Sequence, residues 1–391
     1  MRLIDRWTNR LLDERTDARP LGVMRVVLGV AALLMTIELA DSLVRLGSDG
    51  IFRFPVVDAV AWIPGSPAAP ILIGLWACAA VALVLGWHTR PAAATLVLLA
   101  LVVLGIDQQL YSNHLTLLTV LTALTGLANG GAALSLDARA GRGSPLVPAW
   151  GIGLIKIQIT SLYLFAALSK INPSYLSGSV MASYLRTDGP LAVPESWRAF
   201  EPMLVLSLIA VLGELFLAVA LWLPRWRRNA FVVGLGLHGF ILLTFQPPLS
   251  LLIFGLASLS PYVLFLDAAP ASRLVIWDAS CSFCAGWVTW WRRLDWLGVL
   301  RFTPMDEPGV LAAHGIDELA AAEALHVVSP HGTTRAFAAV RSVAEVLPVS
   351  FLWAPLLALP PVQWLGERAY RAVARRRSCQ LPLPATTGHP G

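Results

Sequence analysis

The sequence predicts a polytopic α-helical membrane bundle of about eight spans, followed by a small C-terminal α/β domain. Three observations predict it. The 391 residues are 57% hydrophobic and only 14% charged, with a mean hydropathy of +0.68, whereas soluble domains carry roughly 25% charged residues. Long apolar runs recur between residues 20 and 266. After "SPYVLFLDAAPASR" the pattern changes to short apolar runs, turns and amphipathic stretches, one of which carries a Cys-x-x-Cys. The boundary falls between residues 1–270 and 271–391.

A spanning helix needs roughly 17–25 mainly apolar residues. The expected spans are 20–42, 70–87, 91–106, 114–134, 151–171, 203–223, 230–246 and 249–266, the third and the last two being short. The segment "MRLIDRWTNRLLDERTDARP" is charged and lacks a secretory signal pattern, so it is expected to stay on the side of synthesis. It holds Arg2, Arg6, Arg10, Arg15 and Arg19, and later short loops hold Arg90, then Arg139 and Arg142, then Arg225, Arg227 and Arg228. The intervening loops are poorer in basic residues, with Arg45 and Arg53, none at 107–113, then Arg186 and Arg198. This alternation places both termini in the cytoplasm of a cell-membrane protein with eight spans. The net charge of +5 is nearly all arginine, the only lysines being Lys156 and Lys170, and it points to no nucleic-acid partner. The bilayer is the expected partner.

Ionisable groups inside spans are costly and mark functional or paired positions. Arg25, Glu38, Asp41 and Lys156 fall within or near span ends; for the first three, snorkelling or structural pairing is the reading set against a functional one. Glu214, in "VLGELFLAVALWL", is deeper and has no i±4 partner, so it must pair with another helix or stay protonated. His238 sits mid-span in "GLGLHGF". On the outer face, Asn113 and His114 open the fourth span, and Lys170 ends the fifth. Asn172-Pro173 then breaks the helix, and Tyr175 and Gly178 lie in the exit. Lys170 is the one lysine on that side of an arginine-rich chain. An interfacial anchor is one reading. A base is the other, because a desolvated lysine can lose its proton near neutral pH and arginine cannot.

Arg25 with Gly29, "SDG" at 48–50, "NH" at 113–114, "AALSKINPSYLSG" at 166–178 and His238 together resemble the HTTM family over residues 15–268. Its relatives include the vitamin K-dependent γ-carboxylases. The resemblance implies that Lys170 is the base that deprotonates a hydroquinone, with Asn113 and His114 orienting its oxygens and Tyr175 and His238 close by. Glu214 and Arg25 would support them. A quinone or hydroquinone is the only cofactor implied. The chain departs from the carboxylases in lacking their long lumenal portion, which counts against glutamyl carboxylation; a γ-carboxylase-like or peptide-maturation enzyme is the alternative reading.

In the C-terminal part, "LVIWD" (274–278), "VLRFTPM" (299–305) and "ALHVVSP" (324–330) read as strands. A helix opens at Ser280–Cys281 and runs to about Leu294, and "AFAAVRSVAEVL" is a second, amphipathic one. Strand, CxxC at a helix start, then alternating helix and strand is the setting of a thioredoxin-like redox site rather than of zinc. Zinc would need two further ligands, and His314, His326 and Cys379 make no second paired motif, so no metal is expected. Cys281 meets the positive end of the helix dipole and is expected to be the exposed attacking thiolate. Cys284, one turn inward, is the expected resolving thiol. Cys78 and Cys379 read as packing or surface residues.

The run D-A-S-C-S-F-C, from Asp278 to Cys284, resembles the D-G-x-C-x-x-C motif of the DCC (DUF393) thiol-disulfide oxidoreductase family, with Ala279 in place of glycine. "RFTPM", "HVVSPHGTTRAFAAVRSV" and "ERAYRAVARRR" extend the likeness over 273–380. It implies protein-disulfide reductase activity on an unidentified thiol protein or peptide. No proline immediately precedes the "ALHVV" strand, where thioredoxins place a cis-proline. The combined expectation is a membrane thiol-disulfide oxidoreductase whose bundle is linked to quinol chemistry. A non-catalytic membrane anchor carrying a dithiol domain is the alternative from another class, and transport, suggested by Glu214 and His238, finds no inverted repeat. With an even number of spans, the CxxC and the Lys170 face fall on opposite sides of the membrane.

Overall fold

A computed structural model describes residues 13–187, 192–198, 200–266 and 272–375. Arg2, Arg6, Arg10, Arg376, Arg377 and Cys379 lie outside the described residues. The chain divides into two compact units, Met1–Leu266 and Asp267–Gly391, taken separately below.

The first unit is a bundle of eight helices: α1 (Arg19–Leu46), α2 (Ala68–Leu85), α3 (Thr89–Ile106), α4 (Asn113–Leu127), α5 (Ala149–Lys170), α6 (Phe200–Ala220), α7 (Arg227–Thr244) and α8 (Pro248–Leu259). Every expected span is a helix, but six are long and apolar enough to cross a membrane. The two that fall short have visible causes. Helix α4 was expected to reach residue 134 and stops at Leu127, because the chain turns at Asn129, which adopts a positive φ, beside Gly130 and Gly131. Helix α7 spends its first turn on Arg227, Arg228 and Asn229.

Leu21, Met24, Leu28, Leu39 and Leu43 of α1 are buried along one side with Trp76, Leu83, Leu96, Leu115 and Ile253 of its neighbours. The apolar effect does not hold such helices together in lipid, so close packing and interhelical hydrogen bonds do. The Trp76 indole N–H donates to the Ala32 carbonyl across α1 and α2 at 2.8 Å. Gly29 lets these helices approach closely: a Cβ there would lie 2.9 Å from the Val84 backbone nitrogen.

Arg25 does not snorkel. It is fully buried, and its guanidinium donates to the carbonyls of Leu83 (2.6 Å), Val84 (2.8 Å) and Leu134 (2.5 Å). Leu83 and Val84 belong to the last turn of α2, where carbonyls favour a cation; Leu83 also accepts from the Gly86 N–H at 3.2 Å. Beside it, Asp137 performs the opposite cap. Its carboxylate accepts from the backbone N–H of His88 (3.0 Å) and Thr89 (2.9 Å), from the Thr89 hydroxyl (2.9 Å) and from Arg142 (2.6 Å), at the start of α3. Burial alone would raise the Asp137 pKa, but these donors outweigh it and hold it down to about 2.

The second unit is a four-stranded sheet with helices. Its strands are β1 (Arg273–Trp277), β2 (Leu300–Pro304), β3 (His326–Ser329) and β4 (Gly332–Arg335), in spatial order β2-β1-β3-β4. β1 runs parallel to β2, and the β1–β3 and β3–β4 pairs are antiparallel. The parallel pair requires a crossover, supplied by α9 (Ser282–Leu294). Helices α10 (Ala336–Ala344) and α11 (Pro360–Arg375) follow the sheet. Strand β4, "GTTR", is not among the strands expected from the sequence.

Replacing Arg25 by methionine leaves the Val84 and Leu134 carbonyls without a donor and Leu83 with only the Gly86 N–H, and lysine, with its point-like ammonium, cannot span all three. Both variants are expected to lower the thermal midpoint of the purified protein, methionine more, by an amount equivalent to about 2–4 kcal/mol. Asp137→Asn should be destabilising at neutral pH. Because the folded pKa is depressed, the carboxylate's contribution is complete above its ordinary value of 3.8 and fades as pH falls toward about 2. The gap in thermal midpoint between wild type and D137N should therefore close over that acid range; a gap independent of pH contradicts the capping role.

Candidate functional sites

The bundle contains a cavity of about 1120 Å³. Its wall is mainly apolar, with a polar group made by Asn113, Gln158, Lys170, Tyr175, Glu214 and Gln246. The helix ends explain why these residues meet. α5 ends at Lys170, Asn172 then caps the one-turn helix Pro173–Leu176 by accepting from the Tyr175 N–H at 2.9 Å, and this turn brings Tyr175 back over the lysine. The Lys170 ammonium lies 5.8 Å from the Tyr175 ring centroid. Glu214 finds its partner on another helix, as its depth requires: the Lys170 ammonium donates to both carboxylate oxygens, at 2.5 and 2.7 Å. Lys170 is therefore held in an ion pair with Glu214.

The structure separates the other expected residues from this cavity. Asn113 lines it, but His114 does not appear among its lining residues. The His114 Nε2 lies 2.7 Å from Glu38 Oε1 and 3.2 Å from the Ser112 hydroxyl, and Ser250 donates to the other Glu38 oxygen at 2.9 Å. Successive positions at a helix start point in different directions, so the Asn-His pair divides between two environments. His238, likewise absent from the cavity wall, is buried, with Nε2 3.0 Å from the Tyr163 hydroxyl, which accepts from the Tyr262 hydroxyl at 2.9 Å. Arg25 serves the α2 cap. Glu38, Tyr163, Tyr262, Gln158 and Gln246 were not singled out as site residues from the sequence; the contacts of Glu38 with His114 and Ser250, and of Tyr163 with His238 and Tyr262, join residues 75 to 212 positions apart. No local spacing betrays such pairs.

In the second unit, β1 leads through a turn into α9. Asp278 shapes that turn: its Oδ1 accepts from the Ser280 backbone N–H (2.9 Å) and hydroxyl (2.6 Å). Cys281 then occupies the N-cap of α9 with extended backbone. Cys281 is only 2% exposed and is disulfide-bonded, which corrects the expectation of an exposed Cys281 thiol. Cys284 is half-buried. The helical repeat sets the surroundings of Cys284: Cys284, Trp287, Val288 and Trp291 stand at i, i+3, i+4 and i+7, on one stripe of α9. All four line a second cavity of about 340 Å³, closed by residues of α10 and α11 including Phe337 and Tyr370. No cluster of three or more metal-ligating side chains occurs among the described residues.

Comparison with known families agrees with this division. A family model described as the HTTM domain matches residues 14–269, and one described as a DCC1-like thiol-disulfide oxidoreductase matches residues 275–380. No curated protein and no solved structure matches the chain. The apolar helices make this a multi-pass membrane protein, and the C-terminal match gives it a thiol-disulfide oxidoreductase domain. With its larger part matched, the chain belongs to the HTTM family, here joined to a DCC1-like domain.

Proposed function

We propose that this protein is a membrane-bound protein-disulfide reductase whose bundle binds a quinone or hydroquinone. The observation that carries the redox part is the CxxC placed at the start of α9, directly after the central strand β1. A dithiol so placed reduces a disulfide in two exchanges. One sulfur attacks and forms a mixed disulfide, and the second displaces it. The substrate disulfide gains two electrons and two protons, and Cys281 and Cys284 become joined.

For the bundle, the cavity is the support. Its size and apolar wall suit a ring with an isoprenoid tail, and its polar group would meet the ring oxygens. Lys170 and Glu214 would accept or return a proton at such an oxygen, Asn113 would donate to a carbonyl, and Tyr175 would cover the ring. A bound quinone would supply a two-electron couple. The basic loops favour an orientation in the cell membrane with both termini and the CxxC domain cytoplasmic.

Purified full-length protein, reduced and then freed of reductant, should reduce a disulfide-containing protein such as insulin. Cys281→Ser or Cys284→Ser should abolish this turnover without shifting the thermal midpoint by more than a few degrees; persistence of turnover in both variants contradicts the assignment. Quinone extracted from the purified protein should be detectable by mass spectrometry. The ratio of quinone to protein should drop at least about tenfold in Lys170→Met, since loss of one buried charged donor costs on the order of 1.5–3 kcal/mol. An unchanged ratio would remove Lys170 from the ligand site.

A further inference from the structure

The cavity beside Cys284 has a composition that disulfide exchange by itself does not require. Its wall is formed by Trp277, Phe283, Trp287, Trp291, Phe337 and Tyr370, with Val288, Leu325, Val340 and Val373 between them. No charged side chain lines it among the described residues. Its volume of about 340 Å³ is at the lower end of small-ligand pockets, which run from roughly 300 to 1,000 Å³. That space suits one aromatic or branched aliphatic group rather than a folded segment. The wall is also held in place. Tyr370 accepts from the Leu325 backbone N–H at 2.9 Å, tying α11 to the sheet. Gly366 allows α11 to lie against Phe337 of α10, because a Cβ there would come within 2.3 Å of the Phe337 ring.

From this arrangement we propose that the cavity is a specificity subsite for the redox centre: it selects disulfides whose cysteine is flanked by a large apolar side chain. The proposal rests on the thiol-disulfide reading above and adds the substrate class. Cys284 belongs to the cavity wall, so an apolar group seated there brings the disulfide attached to it to the CxxC. Burial of that group contributes binding in proportion to the apolar area removed from water. Charged flanking residues gain nothing from the same wall and pay for desolvation. The exchange balances as before: the substrate S–S bond breaks, a mixed disulfide forms, and the Cys281–Cys284 bond then closes. Two substrate thiols leave with the two protons and two electrons.

The test uses the full-length protein in nanodiscs, reduced beforehand and freed of reductant. Two probes are offered in separate single-turnover reactions, the symmetrical disulfides of acetyl-Phe-Cys-amide and acetyl-Asp-Cys-amide. The Phe disulfide should react at least about tenfold faster, the discrimination expected for one large apolar group in a fitted pocket. Ala369→Trp fills the cavity, and Val373→Asp places a charge in its apolar wall; both positions lie on α11 and line the cavity. In each variant the two rates should converge, and the ratio within one preparation is independent of how much protein is folded. Equal rates in the wild type, or a preference that survives both substitutions, overturn the subsite while leaving the reductase intact. Reduction of neither disulfide overturns the thiol-disulfide reading itself, and the subsite with it.

Discussion

The constraint on which this structure depends is that an ionisable group in an apolar bundle must meet a partner from another helix. The low dielectric leaves no cheaper state. The chain meets it repeatedly: Arg25 of α1 caps α2, Glu38 of α1 is held by His114 and Ser250, and Lys170 of α5 binds Glu214 of α6. His238, Tyr163 and Tyr262 form a further buried polar chain. Each contact joins elements distant in sequence, so together they fix which helices are neighbours where apolar packing alone would tolerate many arrangements. One of them differs from the rest. Lys170 and Glu214 both open onto a large cavity, and so this pair can answer to a ligand as well as to its neighbours.

Among the described residues, the two candidate sites are built each from its own unit. The bundle cavity holds an ion pair in a mainly apolar chamber, and the CxxC lies beside an aromatic pocket. Each can be examined by substitutions within its own unit.

Much of this was legible in the sequence, for reasons that differ by element. Apolar runs of spanning length named all eight bundle helices, and Cys-x-x-Cys after "LVIWD" named the redox turn, because both are local patterns. The depth of Glu214 correctly demanded a partner, but not that it would be Lys170. That pairing, like Glu38 with His114, joins residues far apart in the chain, which a single sequence does not display. The exposure of the cysteines was misread for another reason. The dipole argument considers only the helix start, whereas the stripe Cys284, Trp287, Val288 and Trp291 decides which cysteine meets the pocket. The short strand "GTTR" was missed because its pairing with "HVVS" comes from the sheet, while its own composition is that of a turn.

The central claim is that Cys281 and Cys284 act as one two-electron centre in the intact membrane protein. The sequence offers a direct measurement, since no arginine or lysine lies between Leu274 and Trp291, and one tryptic peptide ending at Arg292 carries both cysteines. Full-length protein would be equilibrated over a series of dithiothreitol redox buffers, alkylated, digested and weighed. The account predicts that the peptide carries either two alkyl groups or none, with a single transition between them that follows two-electron behaviour. A peptide dominated by the singly alkylated form, or one whose two cysteines titrate separately, would contradict it.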